Sequence, residues 1–223
     1  MKKIVLSAML GSVMTLPTIA TANSIDGVGV AVNYGLISGP ALELTYPIND
    51  LFQVRGALSA GMGLSETSGD NDNEVAYDVK ADGGIHRLSM DYHPFSGTFF
   101  MSAGYAFNDF KLKANGTKTG SDIEVGDDTF DGTVTINGAI EWDSAPMLSL
   151  GWGHSPAEGW GAMFEVGAIF TGAPDASLTG TISDANAQDD LNTALKAEET
   201  KLKNDVADFD FLPILQAGVT YRF

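Results

Sequence analysis

The sequence contains no cysteine, 12 lysines and arginines against 29 aspartates and glutamates, and 3 histidines in 223 residues. Without cysteine there are no disulfides and no thiolate metal sites. A formal net charge of −17 excludes the basic face that nucleic-acid binding requires. The sequence has no HExxH or Gly-x-Ser-x-Gly motif, P-loop or dinucleotide fingerprint; Gly27-Val28-Gly29 reads as strand glycine. His93 and His154 fall in expected turns, where each would serve as a cap. His86 falls inside a strand, with no serine or aspartate evidently opposite. No catalytic residue, cofactor or metal is therefore expected. After residue 22 no run approaches 18 uninterrupted apolar residues, which excludes a membrane-spanning helix.

The N-terminus is patterned for export. Met1-Lys2-Lys3 is a short positive region, and Ile4 to Leu16 is mostly apolar. Pro17 ends that core, and Ala20-Thr21-Ala22 offers small residues for cleavage. The reading is a signal peptide over 1–22, cut to leave Asn23 first, followed by one domain over 23–223.

Period-two alternation dominates the rest, the signature of strands that cross a membrane. Val28, Val30, Val32 and Tyr34 alternate with Gly29, Ala31 and Asn33. Leu42, Leu44 and Tyr46 alternate with Glu43 and Thr45, and Phe52, Val54, Leu58, Ala60 and Met62 with Gln53, Arg55, Ala57 and Ser59. Leu88, Met90 and Tyr92 oppose Arg87, Ser89 and Asp91. Further strands follow over Phe99–Phe107, Ala162–Phe170 and Leu215–Phe223. Thr133–Trp142 and Pro146–Gly153 would bring the count to nine. Val134, Ile136, Ile140, Trp142, Leu148, Leu150 and Trp152 are all even-numbered, so one long strand kinked near Pro146 preserves the parity. The expected fold is all-β: an eight-stranded antiparallel up-and-down transmembrane β-barrel.

The short connections 47–50, 93–97 and 154–159 each hold a proline and read as periplasmic turns. The connections 36–40, 65–76, 113–132 and 181–210 read as extracellular loops, the last three long and acidic. Leu191, Leu195, Leu202 and Val206 recur at helical spacing and predict a short amphipathic helix over Gln188 to Val206 in the last loop.

Alternation also fits a soluble barrel or sandwich. Here the polar face is too rich in glycine, alanine and serine to fill a sandwich core. The apolar face carries Tyr46, Tyr92, Trp152, Trp160 and Tyr221 near strand ends, as at a membrane interface. The closing Tyr221-Arg222-Phe223 resembles the signal read by the outer-membrane assembly machinery, with Tyr221 and Phe223 as its aromatics. Location in the outer membrane follows, with its lipids and that machinery as partners.

Asp91-Tyr92-His93-Pro94-Phe95, Gly159-Trp160-Gly161, Glu165-Val166-Gly167-Ala168, Phe170-Thr171-Gly172-Ala173-Pro174 and Gly218-Val219-Thr220-Tyr221 resemble the ornithine-uptake, carbapenem-associated outer-membrane channel family. The strand order is similar to that of outer membrane protein W. The resemblance implies an eight-stranded barrel that passes small basic amino acids.

Two constellations could carry function. By parity Glu43, Arg55, Arg87, Asp91, Glu165 and Arg222 point into the barrel, where charges must pair. They form either a structural salt-bridge plug or a charged constriction that selects or gates a small solute. Asp70, Asp72 and Glu74, with Asp122, Glu124, Asp127 and Asp128, cluster in the acidic loops. Neither run has the glycine and distal glutamate of a calcium loop, so they imply a general attraction for cations, including cationic amino acids. The function expected is passive diffusion of small solutes. The alternative is a non-conducting surface protein for envelope integrity or adhesion.

Overall fold

The computed structural model describes residues 27–68, 76–154 and 158–223. The expected signal peptide and its cleavage point lie outside them, as do Asp70, Asp72 and Glu74. The strands in chain order are β1 (Gly29–Gly35), β2 (Gly39–Pro47), β3 (Phe52–Ser59), β4 (Ser65–Ser68), β5 (Tyr77–Asp82), β6 (Ile85–Tyr92), β7 (Phe99–Asn108), β8 (Lys111–Val125), β9 (Asp128–Glu141), β10 (Ala145–Trp152), β11 (Gly159–Ile169), β12 (Asp175–Ile182) and β13 (Leu212–Arg222). A 3₁₀ turn over Ala185–Ala187 leads into helix α1 (Gln188–Val206).

Eight strands close an antiparallel barrel in the order β1-β13-β11-β10-β7-β6-β3-β2. Closure pairs Gly29 with Arg222 and Gly35 with Gln216. The alternation sorts side chains as the sequence predicts. Val32, Leu44, Leu58, Leu88, Leu148 and Val219 face outward and are exposed, while Ala31, Glu43, Arg55, Arg87, Ser149 and Gln216 are buried inside. Exposed leucines at this density would be untenable in water; in hydrocarbon they face their own kind.

Aromatic residues ring both ends of the apolar band. At the short-turn end Phe52 stacks on Tyr92, and Trp160 and Phe223 pack edge-on against Tyr221. At the long-loop end Tyr34, Tyr105, Phe107, Phe170 and Phe211 are exposed. Such paired girdles mark the two interfaces of a membrane barrel. Among the described residues no helix is long and apolar enough to cross a membrane.

The interior is narrow enough that backbone and side chains compete for space. A Cβ at Gly151 would lie 2.3 Å from Cζ of Phe100, an inward ring buried to 0% exposure. Layers then succeed one another along the axis. At the long-loop end Ile85, Ala106, Met147, Ile169 and Ile214 form an apolar plug, continued outward by Phe110, Leu112 and Trp142. Charged side chains fill the middle, and His154 and Arg222 close the short-turn end.

The remaining strands make a second sheet, β12-β9-β8-β5-β4, beyond the long-loop end. It corrects the expectation of a loop over 113–132, which is a hairpin of β8 and β9, and takes Ser65–Ser68 and the pair Thr181 and Ile182 from the ends of the loops expected over 65–76 and 181–210. It also corrects the merged strand: residues 133–141 belong to this outer sheet, and of the merged range only Ala145–Trp152 lies in the barrel. The chain does descend through β9 into β10, but Trp142-Asp143-Ser144 breaks it. The break is fixed by side chains: Asn108 Nδ2 donates to Trp142 O (2.6 Å), and Asn108 N donates to Ser144 Oγ (2.9 Å). The eight-strand count stands because β9 and β10 contribute one strand to the barrel. Strand β8 escaped notice because threonine, asparagine and glycine replace apolar residues along it. Its pairing is carried by polar rows, such as Thr117 with Thr135 and Thr119 with Thr133.

Helix α1 covers one face of the outer sheet over the expected range. Leu191 and Leu195 are buried with Ala194 against Ile123, Val134, Ile136 and Ile182, whereas Leu202 and Val206 are half-buried. The helix also satisfies the free edge of β12. Leu178 N donates to Glu199 Oε2 (3.1 Å), Ile182 N donates to Gln188 Oε1 (3.2 Å), and Gln188 Nε2 donates to Gly180 O (3.1 Å). An otherwise unpaired strand edge is thereby covered.

Candidate functional site: the charged lumen

The centre of the lumen is Arg55, carried inward from β3. Its NH1 lies 2.6 Å from Glu165 Oε2 and its NH2 3.0 Å from Glu165 Oε1, a bidentate pair. NH2 also meets Asp91 Oδ1 at 3.0 Å and Ser102 Oγ at 3.2 Å, and NH1 lies 3.4 Å from Glu43 Oε2. The guanidinium carbon sits 5.0 Å from the centre of the Phe100 ring, within cation–π range.

Arg87 on β6 forms a second node. Its NH2 donates to Glu43 Oε1 (2.7 Å) and to Gln216 Oε1 (2.6 Å), and its NH1 lies 3.5 Å from Glu165 Oε2. Gln216 returns its amide hydrogens to Glu165 Oε2 (2.5 Å) and Glu43 Oε1 (3.1 Å). The Ser149 hydroxyl donates to Glu165 Oε1. Glu43, Asp91 and Glu165 are all 0% exposed; carboxylates so placed require the several donors they receive.

Five of the six lumen residues expected from parity therefore join directly in one network. Arg222 joins at one remove: its NH2 donates to Gln53 Oε1 (2.6 Å), and Gln53 Nε2 donates to Asp91 Oδ2 (3.1 Å). Three guanidiniums thus face three carboxylates in the lumen, although the whole chain is strongly acidic. Gln53, Ser102, Ser149 and Gln216 were missed as participants, although each shares the polar parity of its strand. His154 was assigned to a turn cap. Instead its ring enters the lumen, Nε2 lying 3.1 Å from Glu43 Oε2, from a backbone at φ 46°. No alternation signal could have found it, because it follows the end of its strand. His93 does cap its turn, Nδ1 lying 2.8 Å from Gly97 O. His86 has Asp109 3.8 Å away at the rim.

The lumen is packed shut. Among the described residues, a gap of about 30 Å³ borders Thr45, His154 and Arg222, and one of about 10 Å³ borders Arg87 and Gln216. Such gaps have room for one or two water molecules at most.

The other expected residues lie elsewhere. Asp122, Glu124, Asp127 and Asp128 stand at the tip of the β8–β9 hairpin, where Asp122 N donates to Asp131 Oδ1 (3.0 Å) and Asp127 pairs with Lys201 at 3.1 Å. Among the described residues no three acidic or histidine side chains converge as for a metal. Tyr221 and Phe223 sit at the short-turn girdle. The backbone of Phe223 seals the barrel, its N donating to Val28 O (3.0 Å) and its O accepting from Gly27 N (2.9 Å).

An outward apolar band, two aromatic girdles and a charged, filled interior define a small transmembrane β-barrel. Solved structures share this fold. That of Acinetobacter baumannii CarO aligns with a TM-score of 0.57 at 24% identity, over 91% of this chain and 100% of that one. That of Acinetobacter baumannii CarO2 aligns with a TM-score of 0.57 at 23% identity, over 89% and 99%. CarO is a carbapenem-associated outer membrane protein, so the fold is the one that the sequence resemblance implied. No protein-family model and no curated protein matches the chain.

Proposed function

We propose that the protein is an outer-membrane channel for small solutes whose lumen is closed in this conformation. The observation that carries this reading is the choice of filling. Apolar residues of similar volume would fill a narrow barrel at least as stably as buried ion pairs, and the long-loop layer is filled in that way. The middle layer instead retains three guanidiniums and three carboxylates. A zwitterionic or basic amino acid could exchange with those pairs group for group, its amine on Glu43 or Glu165 and its carboxylate on Arg55 or Arg87. Passage would require the network to part and the apolar plug above it to move. Ornithine and lysine are the candidates that the family resemblance suggests.

The packed lumen favours a second reading, a non-conducting envelope protein in which the network is a structural plug. Uptake into proteoliposomes of the refolded barrel, comparing ornithine, lysine, glycine and glucose, separates the two. The channel reading expects amino-acid entry well above protein-free vesicles and faster entry in Arg87→Ala, which loosens the network. Entry no faster than in empty vesicles for both proteins would leave the plug reading standing.

A further inference from the structure

One of the three lumen guanidiniums has no carboxylate of its own. Arg55 pairs with Glu43, Asp91 and Glu165, and Arg87 with Glu43 and Glu165. Arg222 forms no ion pair among the described residues, and its acceptors there are all uncharged. Its NH1 donates to Gly27 O (2.5 Å), and its NH2 to Gln53 Oε1 (2.6 Å) and His154 O (3.3 Å). Its Nε is buried with no hydrogen-bond partner. Gln53 separates it from Asp91, and Arg55 already holds both Asp91 and Glu43, which offsets the field of those carboxylates at Arg222.

The gap of about 30 Å³ at the short-turn end lies beside this arginine, lined also by Thr45, His154, Gly29 and Gly161 and by no aspartate or glutamate. Thr45 is 2% exposed, and its hydroxyl too has no partner among the described residues. A Cβ on Gly29 would stand 2.3 Å from Thr45 Oγ1 and 3.7 Å from Arg222 NH2, so the bare glycine leaves the hydroxyl and the guanidinium around one small space. Buried donors left unmade cost stability, and a charged one costs more. Water can accept from both, but it leaves the guanidinium charge unneutralised. A small anion accepts from both and neutralises it.

We propose that Arg222 and Thr45 form a binding site for a monatomic anion, a halide such as chloride, at the short-turn end of the lumen. The Arg222 Nε–H and the Thr45 hydroxyl donate to the ion. The gap has room for one or two particles the size of water, which excludes a carboxylate that carries an organic body. The acidic outer sheet lies at the other end of the barrel, and salt screens exposed charges beyond about 10 Å, so contact with the unpaired guanidinium decides the sign of the ligand. The site needs no open lumen, so a non-conducting barrel would carry it equally.

Chloride and bromide are the probes, and gluconate, too large for the gap, supplies the same ionic strength as the control. Arg55, Arg87 and Arg222 are the arginines of the chain, so isotope-labelled arginine in the refolded full chain gives a spectrum simple enough to assign by substitution. Chloride should move the Arg222 Nε–H signal saturably, and gluconate should leave it in place. Thr45→Val keeps the shape of the side chain and removes the hydroxyl. It should weaken chloride by about tenfold or more, as loss of a hydrogen bond to an ion does. That hydroxyl has no other partner among the described residues, so the variant should still fold and shift on heating in gels. Arg222→Gln should abolish the response, and crystals grown in bromide should scatter anomalously between Thr45 and Arg222. An Arg222 signal that follows gluconate as it follows chloride, unaltered chloride affinity in Thr45→Val, or water without anomalous scattering in the gap would each overturn the assignment.

Discussion

The barrel and the outer sheet are built from the same alternation and use it in opposite senses. In the barrel Leu148 and Leu150 point outward into hydrocarbon, and the charges lie inside. In the outer sheet Val134 and Ile136, of the same parity on the same descending run, point inward beneath a helix, and the charges face water. Period two identifies a face; the surrounding solvent decides which face is the core. Each region should therefore fail under a different substitution.

The largest effect is expected in the barrel. Arg55→Ala leaves Glu43, Asp91 and Glu165 short of their shared partner. Breaking a buried pair on one side typically costs about 3–5 kcal/mol. The mutant should unfold at markedly lower urea or temperature in heat-modifiability gels, and adding Glu165→Gln should recover part of the loss. A wild-type midpoint for Arg55→Ala would mean that water reaches the lumen freely. Next is the lipid face. Leu150→Arg should cost about 2–4 kcal/mol if the residue lies near the bilayer midplane. The same change at Glu124, on the exposed hairpin tip, should leave barrel stability unaltered. Equal responses at the two positions would dissolve the distinction between solvents.

Leu191→Ala probes the outer region alone. Leu191 is 0% exposed between α1 and the sheet. The cost should be about 2–5 kcal/mol, the range for a buried leucine cut to alanine. Limited proteolysis should then cut around α1 while the barrel keeps its gel mobility; loss of both together would make the two regions one cooperative unit. The smallest effect is electrostatic. The Leu178 amide, then Lys203, hold the Glu199 carboxyl below its ordinary value of 4.5. A depressed carboxyl contributes stability that is full above its unfolded pKa and disappears as pH falls through the folded one. Protease sensitivity at α1 should therefore rise slightly below about pH 4.5, and Glu199→Gln should flatten that rise.

The barrel was legible because each strand must offer lipid an unbroken apolar face, and that constraint writes a clean period of two. The lumen charges were legible for the same reason, as polar residues of fixed parity: Glu43, Arg55, Arg87, Asp91 and Glu165 converge although up to 122 positions of sequence separate them. The outer sheet was not. Strands β5 and β8 border water over much of their length, so Lys80, Asn115 and Thr117 are as acceptable there as valine; most of β8 reads as a loop, and β5 shows no apolar alternation to mark it as a strand. Helix α1 was the exception in that region, because its apolar stripe must cover Ile136 and Ile182. His154 entered the lumen unannounced because a turn's backbone, rather than a strand's parity, aims its ring.

At the rim between the two regions the chain passes three glycines at positive φ: Gly39 (68°), Gly61 (77°) and Gly83 (81°). A Cβ on Gly39 would lie 2.2 Å from Gly61 O, one on Gly61 2.1 Å from Gly83 O, and one on Gly83 1.9 Å from Asp109 O. Each backbone is therefore the wall against which the next one rests. Around this arc the circumference of the mouth is gauged by main chain against main chain, with no side chain as spacer. Sequence drift in the strands and helix above it would leave that gauge unchanged. The collar sets the width of the mouth by backbone alone, independently of the side chains that build the outer sheet and its helix.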